Sequence, residues 1–465
     1  MATVWKLARL CWPIIGAGSV LAFAALGPFG MTPAAAIPAF AQQTGQRCQA
    51  CHVGGFGPQL TPFGRAFKLG GYTLRTGSFN LPLSAMVVAS HTSTSRALPS
   101  PPTDGFSTNN NLALDQVSIF LGGGIGSHFG GFVQTTYDGI GKSSSWDNLD
   151  LRVVNNGTIG GKELVYGLSL NNNPTVTDGW NTLPAWGYPY TGSALAPGPA
   201  ASPLISGGLA QNVLGLNAYA WIDSRFYLEA GGYSTPRAGT LQWLGADPFA
   251  PGDIQGLAPY GRIALSQNVG GGTAEIGAFA LKANLWPGRD RSTGLTDHYS
   301  DIGLDASWIR SIGSSDTFTI NARYVHEHRS LLASCALGMT DGSITPGPLN
   351  ACADGSLNEL HGDMSYYWHN TIGVTVGAFN LTGSRNAAIY AGNRLNRPDS
   401  TGAMLQLDAT PFGSGNSPLG ARFATRVGVQ YIAYSRFDGA HSDYDGTGRN
   451  ASDNNTLRVF TWVAF

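Results

Sequence analysis

The feature that most constrains the fold of this chain is a repeated alternation of apolar and polar residues, which begins near residue 82. Successive side chains of a β-strand point to opposite faces, so each alternating run predicts a strand with one apolar and one polar face. Turn residues separate the runs, as they do between paired strands. We count sixteen runs, at 83–91, 112–126, 129–139, 147–156, 163–173, 211–222, 226–235, 257–268, 273–286, 298–311, 317–331, 357–370, 372–383, 402–412, 420–437 and 456–465.

The links between these runs alternate between long and short. Tight turns fall at 127–128, 223–225, 269–272 and 312–316. Between them lie the longer links 92–111, 140–146, 174–210, 236–256, 287–297, 332–356, 384–401 and 438–455. Short periplasmic turns opposite long extracellular loops are typical of bacterial outer-membrane β-barrels, which have an even number of strands.

The alternation within a run indicates which solvent each face meets. In the run 420–437, Val427, Val429 and Tyr431 alternate with Arg426 and Gln430. One face suits lipid and the other suits a wet lumen, whereas a soluble β-sandwich, the rival fold, turns its apolar face inward. Closing the sheet satisfies every backbone N–H and C=O in a solvent that offers no hydrogen bonds. We therefore predict an all-β fold, a transmembrane antiparallel barrel of about 16 strands over residues 81–465.

The composition of the chain limits the kinds of partner that it can bind. The formal net charge is −1, so the chain has no excess of basic residues to attract nucleic acid, and we expect none as a partner. Charged residues make up only 12% of the chain and aromatic residues 11%. Because disordered chains are poor in aromatic residues, this polar and glycine-rich sequence is expected to fold.

The first residues have the form of a secretory signal peptide. Lys6 and Arg9 precede the apolar stretch 11–30, and small residues at 34–36 or 39–41 offer a cleavage site. The alternative is an uncleaved membrane anchor, since the apolar stretch approaches the length of a spanning helix. We assign residues 1–36 to the signal peptide. Phe465, at the end of an alternating run, resembles the assembly signal of outer-membrane proteins, so we expect the protein in a Gram-negative outer membrane, in contact with its lipid.

One short motif has no place in a simple barrel. Cys48, Cys51 and His52 form a CxxCH sequence, in which two thiols are spaced to bond a haem and the imidazole reaches its iron. A zinc site or a redox-active CxxC pair are the alternatives. Export supports attachment of one covalent haem c, with His52 as the proximal ligand. The other two cysteines of the exported chain, Cys335 and Cys352, lie in a loop-forming stretch and are expected to form a disulfide.

The residues around this motif resemble the fused outer-membrane monohaem cytochrome c–porin family, which includes iron-oxidising outer-membrane cytochromes. The matching elements are Phe40-Ala41, Thr44-Gly45, Cys48 to His52, Pro58 to Arg65, Phe67-Lys68-Leu69 and Gly71-Tyr72. The resemblance implies an electron-transfer protein that takes electrons from an extracellular donor, ferrous iron above all, and thus possible ferrous iron oxidase activity. It also implies a periplasmic acceptor such as a soluble cytochrome or a copper protein.

Residues 37–80 are too few to bury a haem alone, since chains of this length rarely form a sufficient core. We therefore expect them to fold into the lumen as a small helical haem c plug. No second haem ligand occurs within this plug. Met86, on the lumen side of the first strand, is the first candidate for the distal ligand, and plain packing is its alternative role. The other candidates are His91, His361 and His369.

Two basic residues of the plug, Arg65 and Lys68, are candidates to bind the haem propionates by charge. Asp301, Asp305 and other acidic residues of the strands are expected to line the lumen. Two other functions remain open. The protein can be a solute porin whose haem segment is structural or gates it, or it can carry electrons outward to extracellular metals.

Overall fold

The computed structural model describes residues 38–76, 82–176, 178–183, 191–313, 315–412, 417 and 423–465. The predicted signal peptide, residues 1–36, lies outside the described residues.

Sixteen long antiparallel strands form one sheet. In chain order they are β1 Leu83–Thr94, β2 Asn111–Ile125, β3 Phe129–Asp138, β4 Ser143–Ile159, β5 Lys162–Asn171, β6 Leu214–Ile222, β7 Phe226–Ser234, β8 Ala258–Val269, β9 Gly272–Trp286, β10 Asp297–Ile312, β11 Asp316–Ser330, β12 Asp354–Trp368, β13 Ile372–Gly383, β14 Ser400–Ala409, β15 Ala424–Arg436 and β16 Thr456–Ala464. A two-residue strand, Asp253–Ile254, pairs with the end of β9.

The sheet closes on itself. Each long strand pairs with its neighbours in sequence, and β1 pairs with both β2 and β16, where Met86 lies opposite Ala464. The prediction of a closed antiparallel barrel of sixteen strands is confirmed. One link is shorter than predicted, because β4 begins at Ser143 and pairs at once with Asp138. Serine side chains carry no apolar signal, but their backbone groups still complete the ladder.

The two faces of the barrel have opposite polarity. On β10, Ile302 and Leu304 are each 56% exposed on the outside, whereas Asp301 and Asp305 are buried on the inside. The same inversion recurs around the sheet, where exposed Leu, Ile and Val residues cover the outer face. This arrangement suits a barrel with lipid outside and polar groups inside, so we treat the strands as spanning the outer membrane.

Among the described residues, no α-helix is long and apolar enough to cross a membrane.

We call residues 38–76 the N-terminal segment, and within these described residues three short α-helices precede the barrel. They are α1 Pro38–Thr44, α2 Cys48–Cys51 and α3 Pro62–Leu69. The start of α3 follows from its sequence, because the Thr61 side chain accepts a 3.1 Å hydrogen bond from the Gly64 N–H and Pro62 takes the first helical position. The helix ends at Gly70 and Gly71, and Gly71 adopts a positive φ of 66°.

The long links carry further structure. Between β7 and β8 lies α4, Ala238–Trp243, and between β11 and β12 lie α5, Leu332–Asp341, and α6, Leu349–Ala353. The predicted disulfide between Cys335 and Cys352 is present and joins α5 to α6. This link was expected to be an irregular loop. Instead, Leu332, Met339 and Leu349 pack around the disulfide, and this apolar cluster supports the two helices.

One long link turns back into the barrel, and we call residues 172–213 the inward loop. Inward-facing carboxylates hold it: Glu327 accepts a hydrogen bond of 2.6 Å from Leu204 N, and Asp301 accepts one of 2.7 Å from Ile205 N. On β15, four strands away from Glu327, Tyr434 donates a 3.0 Å hydrogen bond to Pro197 O. The described parts of the loop therefore contact strands on several sides of the lumen.

Candidate functional site

The candidate site is a cavity of about 410 Å³, which we call the inner cavity. Three parts of the chain enclose it: the N-terminal segment, the inward faces of strands β1 to β4 with β15 and β16, and the inward loop. Cys48 and His52 belong to its wall. Its apolar lining includes Phe56, Met86, Val88, Phe120, Phe132 and Trp462.

The CxxCH motif is positioned by α2 and the turn that follows it. Cys48 O accepts a 2.8 Å hydrogen bond from His52 N, and His52 forms an isolated bridge with Leu60. Gly54 then adopts a positive φ of 64° in a place where a Cβ would lie 2.3 Å from the Tyr367 ring. Only glycine fits this position, so the turn needs both its backbone freedom and its lack of a side chain.

The two cysteines of the motif differ in where they lie. Cys48 lines the inner cavity and packs in one apolar cluster with Phe56 and Ala424. Cys51 is buried but does not line the cavity; its carbonyl oxygen lies against Gly64 of α3. Burial raises the pKa of Cys48 to about 12 and that of Cys51 to about 11, so both thiols are protonated at neutral pH.

His52 has the properties of an imidazole that is available to bind a metal. Burial lowers its pKa to about 4, against a smaller opposing effect of a hydrogen bond with the Gly57 backbone, so the ring is neutral at physiological pH. Within the described part of the chain, its buried Nδ1 has no hydrogen-bond partner. A buried nitrogen without a partner is costly unless something else binds the ring. Together with the Cys48 thiol, the neutral ring of His52 makes this wall of the cavity suited to a haem c.

Of the four predicted distal ligands, only Met86 lines the inner cavity. It is buried on the inward face of β1, as expected from the alternation. His91 lies an odd number of residues away, so its side chain points to the opposite face of the same strand. His361 faces inward but lines a different cavity, and His369 lies in the turn after β12. The structure thus brings Met86, Cys48 and His52 to one cavity.

The two basic residues proposed for the propionates do not line the inner cavity. Lys68 donates hydrogen bonds of 2.5 Å to Asn181 Oδ1 and 2.6 Å to Val176 O, two residues that do line it. Burial lowers the pKa of Lys68 to about 8. Arg65 lies 5.8 Å from the ring centre of Trp180, and burial lowers its pKa to about 10. Lys68 therefore ties the N-terminal segment to the inward loop, one layer behind the cavity wall.

The N-terminal segment contacts inward-facing residues around the barrel. Gln59 donates to Asn321 on β11, and Tyr219 on β6 donates a 2.7 Å hydrogen bond to Leu69 O. On the other side, Gly54 O accepts a 2.8 Å hydrogen bond from Thr410, just after β14. Gln49 donates to Asn370 O in the short turn between β12 and β13, so α2 lies near the end of the barrel that carries the short turns.

Sequence reasoning missed the part of the site that comes from the inward loop. Asn173, Val176, Asn181, Thr191 and Gly192 all line the inner cavity. Besides turn-forming residues, the loop contains Trp180, Leu183, Leu204 and Ile205, whose apolar character indicates burial but not where the loop folds. Phe56, by contrast, follows the CxxCH motif closely, and its apolar character was a usable signal.

The acidic residues expected in the lumen do face inward, but protein groups already bind them. Arg262 donates a 2.6 Å hydrogen bond to Asp305, and Asn321 donates one of 3.0 Å to Asp363. Within the described ranges, no group of three or more His, Cys, Asp or Glu side chains is arranged to hold a metal ion.

No protein-family model matches this chain, and no curated protein matches it. Solved structures with similar folds include the outer membrane channel DcaP of Acinetobacter baumannii, at 13% identity and a TM-score of 0.44 over 82% of this chain and 96% of that one. Another is OmpF of Salmonella typhi in complex with daunomycin, at 12% identity and a TM-score of 0.43 over 82% of this chain and 97% of that one.

A third is the anion-selective porin of Comamonas acidovorans, at 12% identity and a TM-score of 0.41 over 82% of this chain and 98% of that one. Two of these names describe a channel or a porin, and none of the three mentions haem or electron transfer. From the closed sheet, the apolar outside and the polar inside, the chain is a porin-like β-barrel of a Gram-negative outer membrane.

Proposed function

We propose that this barrel is an electron-transfer protein that holds one haem c in the inner cavity, as in the fused outer-membrane monohaem cytochrome c–porin family. The observation that carries the proposal is that Cys48, His52 and Met86 line the same cavity. Met86 comes from the barrel wall and the other two from the N-terminal segment. Cys48, His52 and Met86 would hold the haem, and the haem would supply a one-electron redox centre.

The protein residues have distinct roles in this proposal. Cys48 and Cys51 would attach the group, and Cys51 must turn toward the cavity to do so. The side chains of Phe56, Phe120 and Trp462 exclude water from the apolar part of the wall. A dry and apolar surrounding stabilises the uncharged state of a redox centre and so shifts its potential.

The N-terminal segment would act as the plug of the lumen. Sixteen strands enclose a space that their own side chains do not fill. The segment and the inward loop contact each other through Lys68 and Asn181, and both contact the barrel wall. With both in place, electrons rather than solutes would cross the barrel.

The position of α2 also supports a periplasmic partner. Gln49 reaches Asn370 in a short turn, and short turns face the periplasm in this class of barrel. A soluble carrier, such as a cytochrome or a copper protein, would meet the motif from this end. Ferrous iron as the extracellular donor follows from the family resemblance, and outward flow to extracellular metals is the reverse of the same path.

The test of this proposal begins with the thiols. The double variant Cys48→Ser, Cys51→Ser should lose covalent haem while heat-modifiable gel mobility shows that the barrel still assembles. The wild-type protein should show haem staining, and ferrous iron should reduce its haem in stopped-flow measurements. Wild-type protein without covalent haem, or a double variant that keeps it, would refute the proposal.

A solute porin is the second candidate, and the polar inward face favours it. The inward face carries Arg152, Arg262, Arg426 and Arg458, which makes the interior polar, as it is in porins. Planar-bilayer recording separates the two candidates. An electron-transfer barrel should conduct ions poorly, and deletion of residues 42–75 should increase its conductance. High conductance of the wild type with its haem in place would favour the porin.

A further inference from the structure

A second cavity, of about 320 Å³, lies in the half of the barrel nearer the long links, and we call it the outer cavity. One wall comes from residues 192–202 of the inward loop, and the others come from the inward faces of β12 to β16. Gly192 lines both cavities, so the inward loop separates them. A cavity of this size fits a small organic molecule.

Most of the outer cavity wall is apolar and aromatic. Phe379, Met404 and Tyr434 belong to one buried cluster, against which Ile432 packs. The ring of His361 lies nearly parallel to that of Phe379, with ring centres 6.0 Å apart. A flat ring with an apolar face would pack well against this surface.

One buried charge in this wall is poorly compensated. Arg458 lines the cavity and is only 1% exposed. Its Nη2 forms a long ion pair of 3.4 Å with Oδ2 of the buried Asp115, and its Nη1 lies 3.2 Å from Thr191 Oγ1. Its Nε has no hydrogen-bond partner among the described residues. A guanidinium stays charged in proteins, and its N–H groups match a carboxylate in geometry.

The other charged group of the cavity is already neutralised. Glu359 accepts a 2.8 Å hydrogen bond from Arg323 and one of 2.6 Å from Ser206, and His361 lies 3.2 Å from its second oxygen. Arg458, whose ion pair with Asp115 is long and whose Nε has no partner among the described residues, is therefore the group of this wall that a carboxylate would contact. The apolar wall of the cavity would pack against an aromatic ring.

We propose that the outer cavity is a binding site for a small aromatic carboxylate. The carboxylate accepts hydrogen bonds from the N–H groups of Arg458, and the ring packs against Phe379, Met404 and Tyr434. The site is made by the inward loop and strands that carry no part of the CxxCH motif, so its existence does not depend on bound haem.

Calorimetric titration of the purified full-length protein in detergent tests the site, with benzoate as the probe. Benzamide is the matched neutral probe, because it has the same ring and nearly the same shape. Benzoate should bind, and benzamide should bind at least about tenfold more weakly, since it lacks the charge that pairs with Arg458. Failure of benzoate to bind at millimolar concentrations, or equal affinity for both probes, would overturn the proposal.

Two variants locate the binding. Arg458→Gln removes the charge, and Met404→Trp fills the apolar wall; each should weaken benzoate binding by about tenfold or more. The control is Arg96→Gln, at an arginine whose side chain is 55% exposed and pairs with Asp453 outside the cavity. It should leave benzoate affinity unchanged.

Heat-modifiable mobility establishes that each variant is folded before titration. If Arg458→Gln does not assemble, Met404→Trp decides the question by itself. Unchanged benzoate affinity in a folded Arg458→Gln or Met404→Trp variant would contradict the proposed site, as would an equal loss of affinity in Arg96→Gln.

Discussion

The hydroxyl of Tyr72 donates a 2.6 Å hydrogen bond to Oδ2 of Asp150, which joins the end of the N-terminal segment to the inward face of β4. The ring of Tyr72 also stacks on that of Phe40, with centres 5.1 Å apart and planes 2° apart. Burial and the neighbouring Asp150 raise the pKa of Tyr72 well above its usual value, so it remains a donor. The two ends of the segment are thus packed together and fastened to the barrel.

Replacing this hydroxyl should loosen the segment without unfolding the barrel. Tyr72→Phe removes one hydrogen bond, while Asp150 keeps those from Arg152 and Ser169. We expect the free energy of local opening to fall by about 1–1.5 kcal/mol, which is roughly a tenfold increase in amide exchange across α3.

Hydrogen exchange with mass spectrometry of peptides from residues 62–72 measures this change. Tyr366→Phe is the matched control, because Tyr366 donates to Asp316 at the outer face of a short turn. Unchanged exchange in Tyr72→Phe, or the same increase in both variants, would show that Tyr72 does not fasten the segment.

Met86→Leu tests the predicted distal ligand. The two side chains have similar volumes, so the barrel should lose less than about 1.5 kcal/mol. A methionine ligand raises the potential of a haem, and its loss should therefore lower the reduction potential while the covalent haem remains. Redox titration followed on the haem absorption bands gives the potential.

Met404→Leu serves as the control for this measurement, because Met404 is also buried and inward-facing but lines the outer cavity. Its potential should match that of the wild type. Equal reduction potentials in the wild type, Met86→Leu and Met404→Leu would show that Met86 packs in the cavity wall and does not bind the haem.

Gly64→Ala tests the close packing of α3 on α2. A Cβ at this position would lie 2.3 Å from the carbonyl oxygen of Cys51, a backbone atom that has no freedom to rotate away. Overpacking of this kind costs about 1–3 kcal/mol, which exceeds the gain of up to about 1 kcal/mol from alanine in a helix. Urea unfolding in detergent should show a lower midpoint, and covalent haem per barrel should fall.

Gly239→Ala is the matched control, since Gly239 lies in α4 and a Cβ there meets nothing within 4 Å. It should leave the midpoint unchanged or slightly higher. A midpoint for Gly64→Ala at or above that of the wild type would mean that α2 and α3 adjust without cost.

We expect the disulfide-linked helices α5 and α6 outside the cell, because they lie in a long link of the barrel. An epitope inserted after Gly342, an exposed residue at the end of α5, should be detected by antibody on intact cells. The same epitope between Gly160 and Gly161, in the tight turn after β4, should be detected only after the outer membrane is opened. The reverse pattern of detection would show that the barrel has the opposite orientation in the membrane.

The alternation of residues was enough to predict the barrel, its strand number and the face on which most strand side chains lie. Val427 and Arg426 point in opposite directions because the side chains of a strand alternate, and lipid accepts only the apolar set. Closure follows from the same sequence pattern, since an open edge in lipid leaves backbone groups without partners. The choice of Met86 rests on this local rule, as does the exclusion of His91 once the register of β1 is known.

Only the tertiary structure decided what lies inside the barrel. Thr191 and Asn181 reach the inner cavity because the inward loop folds back on Asp301, Glu327 and Glu359, far from it in sequence. Lys68 lies behind the cavity wall because Asn181 and Val176 hold its ammonium group. No local pattern encodes such contacts, since each depends on two segments that meet only after the sheet has closed.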